Sequence, residues 1–109
     1  MRYFACKLIP PRKTFLNDMS EPERDVMRQH VGYWTDLLNR GKVLLFGPVD
    51  DPDGGFGLGI LALSDESDAA AEAIQICQAD PVQLRNIGFS FTISPMPRIV
   101  HQLASAARA

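Results

Sequence analysis

Only two cysteines occur among the 109 residues, Cys6 and Cys77. They make neither a Cys-x-x-Cys redox motif nor a zinc-ligand pattern, which excludes a disulfide scaffold. Both lie in apolar runs and read as buried thiols acting as small hydrophobes. No basic residue beside Cys77 is placed to activate it. Histidine is equally scarce, at two residues, and none stands at ligand spacing from His30, so a metal centre is not expected. An excess of either charge is also missing: 11 Lys and Arg meet 13 Asp and Glu, a net charge of −2. Binding phosphate backbones needs a concentrated basic face, so nucleic acid and anionic membrane are not expected partners. No apolar run approaches the ~18 residues that span a bilayer. The opening Met1-Arg2-Tyr3-Phe4-Ala5-Cys6-Lys7 is too short before its next charge for a signal peptide. A cytoplasmic protein is the expectation.

What is present is a composition that folds, with 46% hydrophobic and 22% charged residues. There is no internal repeat and no low-complexity linker. The expected organisation is one domain over residues 1–100 and a C-terminal tail over 101–109, with Ala104 to Ala109 fraying. Residues 2–9 read as a strand ended by Pro10-Pro11. A polar loop runs to Met19. Ser20-Glu21-Pro22-Glu23 then forms a capping box, with Pro22 harmless in the first turn. That helix should reach Arg40 and stop at Gly41. Lys42 to Val49 is a second strand, Asp50 to Gly55 a turn, and Phe56 to Leu63 a third strand. Asp65-Glu66-Ser67-Asp68 places negative charge at the start of a second helix with Ala70, Ala73, Ile74 and Cys77 on one face, ending near Ala79. Asp80-Pro81 begins a short turn or helix, and Phe89 to Ser94 is a fourth strand. The order βαββαβ predicts an α+β, ferredoxin-like antiparallel sheet with both helices on one face.

Such a sheet normally turns its other face to water, and its strands then alternate apolar and polar. Three of these strands are apolar on both faces. The first has Phe4, Cys6 and Leu8 on one side and Tyr3, Ala5 and Ile9 on the other. Fully exposing ten such side chains would cost on the order of 15 kcal/mol, more than most domains can spare. A second copy of the chain is the expected cover, as a homodimer with sheets packed face to face.

The residue of greatest chemical interest is His30. On a helical projection it falls inside the apolar arc of Val26, Met27, Val31, Trp34, Leu37 and Leu38. A histidine there is a hydrogen-bonded core residue, an acid/base group tuned by a nearby carboxylate, or, least consistent with the spacing, a metal ligand. Asp80 is the candidate carboxylate. It can also cap the helix that starts at Pro81, and the two roles are compatible. Trp34, Phe46, Gly47, Pro48 and Phe56 are candidate pocket residues, with core packing the competing reading of the aromatics. Gly57-x-Gly59-x-x-Ala62 matches a dinucleotide fingerprint in letters only. It leads into a strand rather than a helix N-terminus, so no nucleotide cofactor is expected. The aspartates at 50, 51 and 53 have turn spacing, not calcium-loop spacing. Arg2, Arg12, Lys13 and Arg24 read as a solvated surface, and Ser90, Thr92 and Ser94 as solvent-facing or cavity hydroxyls.

Several motifs in order complete the picture. Tyr3-Phe4-Ala5 is followed by Pro10-Pro11-Arg12-x-x-Phe15, Met27-Arg28-Gln29-His30 and Tyr33-Trp34. Then come Gly41-Lys42-Val43, Phe46-Gly47-Pro48-Val49, Asp51-Pro52, Gly54-Gly55-Phe56-Gly57, Asp80-Pro81 and Pro95-Met96. Over residues 2–100 this run resembles the YciI-like (YCII-related) family. The resemblance implies a dimeric α/β barrel and an active site made of the helical histidine and the aspartate of the Asp-Pro step, here His30 and Asp80. One departure is Asn86-Ile87-Gly88 where the family often shows Ala-Gly. Some relatives take part in breakdown of small aromatic compounds. The expected function is cofactor-independent acid/base chemistry on a small aromatic or lactone-like molecule. The rival readings are a non-catalytic, ligand-binding or regulatory homodimer, and a monooxygenase-like member of the same architecture.

Overall fold

A computed structural model describes residues 1–66 and 68–101; the expected tail beyond His101 lies outside them. The elements run β1 (Arg2–Ile9), α1 (Phe15–Asp18), α2 (Glu21–Asn39), β2 (Val43–Val49), β3 (Phe56–Leu63), α3 (Ala69–Gln78), α4 (Pro81–Leu84) and β4 (Ser90–Met96). The four strands form an antiparallel sheet in the order β2-β3-β1-β4. This is a small α+β fold in which β1 and β3, the central strands, are paired on both sides.

Local chemistry sets the element boundaries. Ser20 Oγ accepts from Glu23 N, and Glu23 Oε1 accepts from Ser20 N at 2.8 Å, so the capping box starts α2 as expected. Gly41, at φ +77°, lets the chain leave α2 and enter β2 within two residues. The 50–55 turn is built on Asp51, whose side chain accepts from Asp53 N and whose carbonyl accepts from Gly54 N.

Both long helices lie on one face of the sheet. Phe4 and Cys6 of β1, Leu61 and Leu63 of β3, and Val43 of β2 meet Trp34 and Leu37 of α2 and Ala69, Ala73, Ile76 and Cys77 of α3. Each large apolar side chain in this layer contributes about 1.5–3 kcal/mol by leaving water. Gly59 is what allows Trp34 to lie flat on β3: a Cβ there would sit 2.5 Å from the indole ring.

Four expectations need correction. The β1–α2 connection is not simply a polar loop. It contains the helical turn α1, which drives Phe15 into a second apolar cluster with Leu8, Val26, Val82 and Phe89. The inner face of α3 is Ala69, Ala73, Ile76 and Cys77, while Ala70 and Ile74 face outward. In an alanine-rich helix two adjacent stripes have nearly equal hydropathy, so periodicity alone cannot choose between them. The buried stripe of α2 is narrower than projected, with Val31 and Leu38 exposed. Finally β4 runs on to Met96, because Pro95 and Met96 still pair with Phe4 and Tyr3.

On the face turned away from both long helices, Tyr3, Ala5, Ile60 and Ala62 lie near one another across β1 and β3. Ile60 and Ala62 are already buried within the chain, so exposing this face costs less than ten fully exposed side chains. Ile9 and Leu45 remain about 40% and 41% exposed. Along β4 the same face is polar, with Ser90, Thr92 and Ser94 in solvent.

Candidate functional site

His30 comes from the buried stripe of α2, two turns after the capping box. Asp80 comes from the junction between α3 and α4. The fold brings them together across 50 residues of sequence: His30 Nδ1 lies 2.7 Å from Asp80 Oδ2. Asp80 has no solvent exposure at all, and His30 is 9% exposed.

The aspartate is fully used. Its Oδ2 also accepts from Trp34 Nε1 at 2.7 Å, and its Oδ1 accepts from Val82 N at 3.0 Å, which caps α4. Capping and pairing with histidine therefore occur on different oxygens of one carboxylate. Gln83 does not close this cap into a capping box.

This arrangement assigns the imidazole tautomer. A carboxylate oxygen only accepts, so the neutral ring keeps its proton on Nδ1 and points the lone pair of Nε2 elsewhere. Nε2 has no hydrogen-bond partner among the described residues, and it is not a buried orphan. His30 lines a cavity of about 240 Å³ between α2, the sheet and the β1–α2 connection. Apart from His30 and Cys6, the lining side chains are aliphatic or aromatic or are those of Met and Gly. A dry cavity of roughly 150 Å³ already holds benzene. The space beside His30 therefore suits one ring with small substituents.

The five residues read as pocket candidates, Trp34, Phe46, Gly47, Pro48 and Phe56, all border this cavity. Trp34 is in addition a hydrogen-bond donor to Asp80, a role that its place on the apolar stripe concealed. The indole ring packs against Phe46 and Phe91, with centroids 6.1 and 6.3 Å away, which fixes the direction of its N–H. Met19, Met27, Phe15 and Phe89 complete much of the wall, and nothing in their spacing marks them as pocket residues. In the Asn86-Ile87-Gly88 segment, Gly88 has φ +100° and lies flush against Pro11, and it delivers Phe89 to the cavity.

Cys6 also borders the cavity. The Cys77 thiol donates to Cys6 Sγ across 3.7 Å, and the two remain unlinked. That hydrogen bond, together with burial, pushes the Cys77 thiol well above the usual range. Tyr33 donates to the carbonyl of Ile76 at 2.7 Å and ties α2 to α3, and burial raises its phenol. Among the described residues no cluster of three metal-ligating side chains occurs, and no helix is long and apolar enough to cross a membrane.

A family model described as a YCII-related domain matches residues 1–97. No curated protein matches significantly. Among solved structures, a formyltetrahydrofolate deformylase from Pseudomonas putida KT2440 is similar at 13% identity and a TM-score of 0.40. The match covers 86% of this chain and only 28% of that one, and it is too slight for fold or activity to be read across.

Proposed function

The chain belongs to the YCII-related family, and on that premise we propose that it is a small-molecule enzyme in which His30 and Asp80 perform general acid/base chemistry. The substrate class is a small aromatic or lactone-like compound, and the step is an elimination, isomerisation or hydrolysis. One observation carries this reading: His30 is held through Nδ1 by a fully buried carboxylate at 2.7 Å, while Nε2 is free at the edge of an apolar cavity.

The chemistry follows from that geometry. Nε2 takes a proton from a C–H or O–H group of the ligand. The imidazolium that forms lies against Asp80, whose negative charge stabilises it beside an apolar lining. In an isomerisation the proton returns to a different carbon. In an elimination the leaving group departs with its electron pair as the new double bond forms. Proton transfer of this kind needs no organic cofactor.

The working unit in this reading is a homodimer with ferredoxin-like sheets face to face, as a dimeric α/β barrel. Its support is the apolar surface of β1, β3 and β2, which ends in exposed Ile9 and Leu45. Sedimentation at micromolar concentration checks it, and a single-copy species would overturn it. In this reading the protein works in the cytoplasm, where Cys6 and Cys77 stay reduced.

A second reading draws on the same cavity. A lining with so little polar surface suits a protein that binds a ligand without converting it. A metabolite thermal-shift screen of wild type beside His30→Ala finds the ligands that need the imidazole. Incubating those ligands with the protein in deuterated water, followed by NMR, separates the readings. Deuterium entering the ligand with wild type and not with His30→Ala supports acid/base catalysis. Stabilisation with no exchange and no product leaves ligand binding alone.

A further inference from the structure

Residues 10–19 cross from β1 to α2 beside the cavity, and the two sides of this strap differ. Pro10, Phe15, Leu16 and Met19 face the cavity. Pro11, Arg12 and Lys13 border a separate polar depression with Asp51 and Asp53. The strap lies directly on glycines: a Cβ at Gly55 would overlap Leu16, and one at Gly88 would come within 3.0 Å of Pro11.

One side chain fastens it. Arg12 donates from Nε to Asp18 Oδ1 and from NH2 to the Asp18 carbonyl, both at 2.8 Å, which closes the strap on itself. Its two terminal nitrogens also donate to both oxygens of Glu23, at 2.8 and 2.9 Å. Glu23 belongs to the first turn of α2, the helix that carries His30. A bidentate guanidinium–carboxylate pair fixes direction as well as distance. The strap is thus tied to the histidine-bearing helix, and Phe15 is held in the wall, with the Arg12 guanidinium 5.3 Å from its ring centroid.

We propose that Arg12 is a positioning residue of the site: by clamping Asp18 and Glu23 it keeps residues 10–19 as a fixed cavity wall and sets the size of ligand that reaches His30. The inference rests on the reading of this cavity as the ligand site. It concerns ligand size, not proton transfer.

The test measures binding of 4-nitrophenol, a one-ring probe, and 1-naphthol, a two-ring probe, through quenching of Trp34, the only tryptophan. Glu23→Gln is the informative variant, because Gln at that position still closes the capping box while the charged clamp is lost. Arg12→Gln removes the same clamp from the other side. Ser20→Ala weakens the helix start and leaves the clamp intact. The expected result is that both clamp variants bind 1-naphthol about tenfold better relative to 4-nitrophenol than wild type does, since a rigid apolar wall discriminates by such factors. Ser20→Ala should keep the wild-type ratio.

An unchanged ratio in Glu23→Gln and Arg12→Gln overturns the proposal. So does an equal shift in Ser20→Ala, which would mark the effect as general loosening. If wild type binds neither probe, the wall encloses no ligand site and both this inference and the acid/base reading fall. A His30→Ala arm separates them further. If 4-nitrophenol binds that variant as tightly, and with the same ionisation seen in its absorbance, the acid/base reading falls while the wall inference stands.

Discussion

Asp80→Asn is the perturbation that tests the site most directly. The carboxylate accepts from three donors, His30 Nδ1 and Trp34 Nε1 on Oδ2 and Val82 N on Oδ1. An amide of the same shape has one accepting oxygen and one donating nitrogen, so either orientation creates a conflict. With its oxygen toward His30 and Trp34, the NH2 faces Val82 N–H and the cap of α4 is lost. With its oxygen toward Val82, the NH2 faces the indole N–H, and His30 must move its proton to Nε2 for Nδ1 to accept. A buried donor left unsatisfied costs about 1–3 kcal/mol, and a lost cap about 1 kcal/mol. Relief from burying a charge offsets part of this. The expected net loss is about 1–3 kcal/mol, a large share of a small domain's stability. Urea unfolding followed by Trp34 emission, at one fixed protein concentration, measures it. Nitrogen-15 NMR of the imidazole reads the tautomer. A loss under about 0.5 kcal/mol, within the range of ordinary surface substitutions, together with an unchanged His30 tautomer would refute the three-donor role of Asp80.

Three further predictions concern separate features. Gly59→Ala places a methyl group 2.5 Å from the Trp34 ring and should destabilise by about 1–3 kcal/mol through overpacking, seen as a lower melting temperature. Arg12 lowers the Glu23 carboxyl from its ordinary 4.5 to about 2. Because the folded value is the lower one, the stabilisation is complete above about pH 4.5 and is lost as the pH falls toward 2. Acid unfolding of Arg12→Gln should therefore show a shallower dependence over that window than wild type. The Cys77 thiol, raised by its bond to Cys6 and by burial, should resist alkylation in the native protein and react once urea unfolds it; rapid native labelling at neutral pH would contradict its placement.

Much of this fold is legible in one dimension because its signals are local. Ser20 and Glu23 are three residues apart, so the start of α2 follows from backbone geometry alone. Gly41, the Asp51 turn and the alternation of β4 are of the same kind. His30 could be placed on the inward face of its helix by period alone. The run of motifs from Tyr3 to Met96 supplied the family and, with it, the pairing of His30 with Asp80 as an expectation.

The remainder depends on contacts between distant segments. Sequence cannot show that Trp34 turns its N–H to Asp80, because the apolar stripe explains the same residue equally well. Nor can it separate the two stripes of α3, which differ by little in hydropathy until Ile76 meets the sheet. Arg12 looks like one more solvated cation until the chain reversal after Pro11 sets it between Asp18 and Glu23. Where most helices and strands begin and that the histidine of α2 points inward are written in the order of residues. How one buried carboxylate is shared among three donors, and which walls enclose the cavity, are settled only in three dimensions. Hydrogen-bond direction and close packing exist only once residues far apart in the chain are brought within a few ångströms.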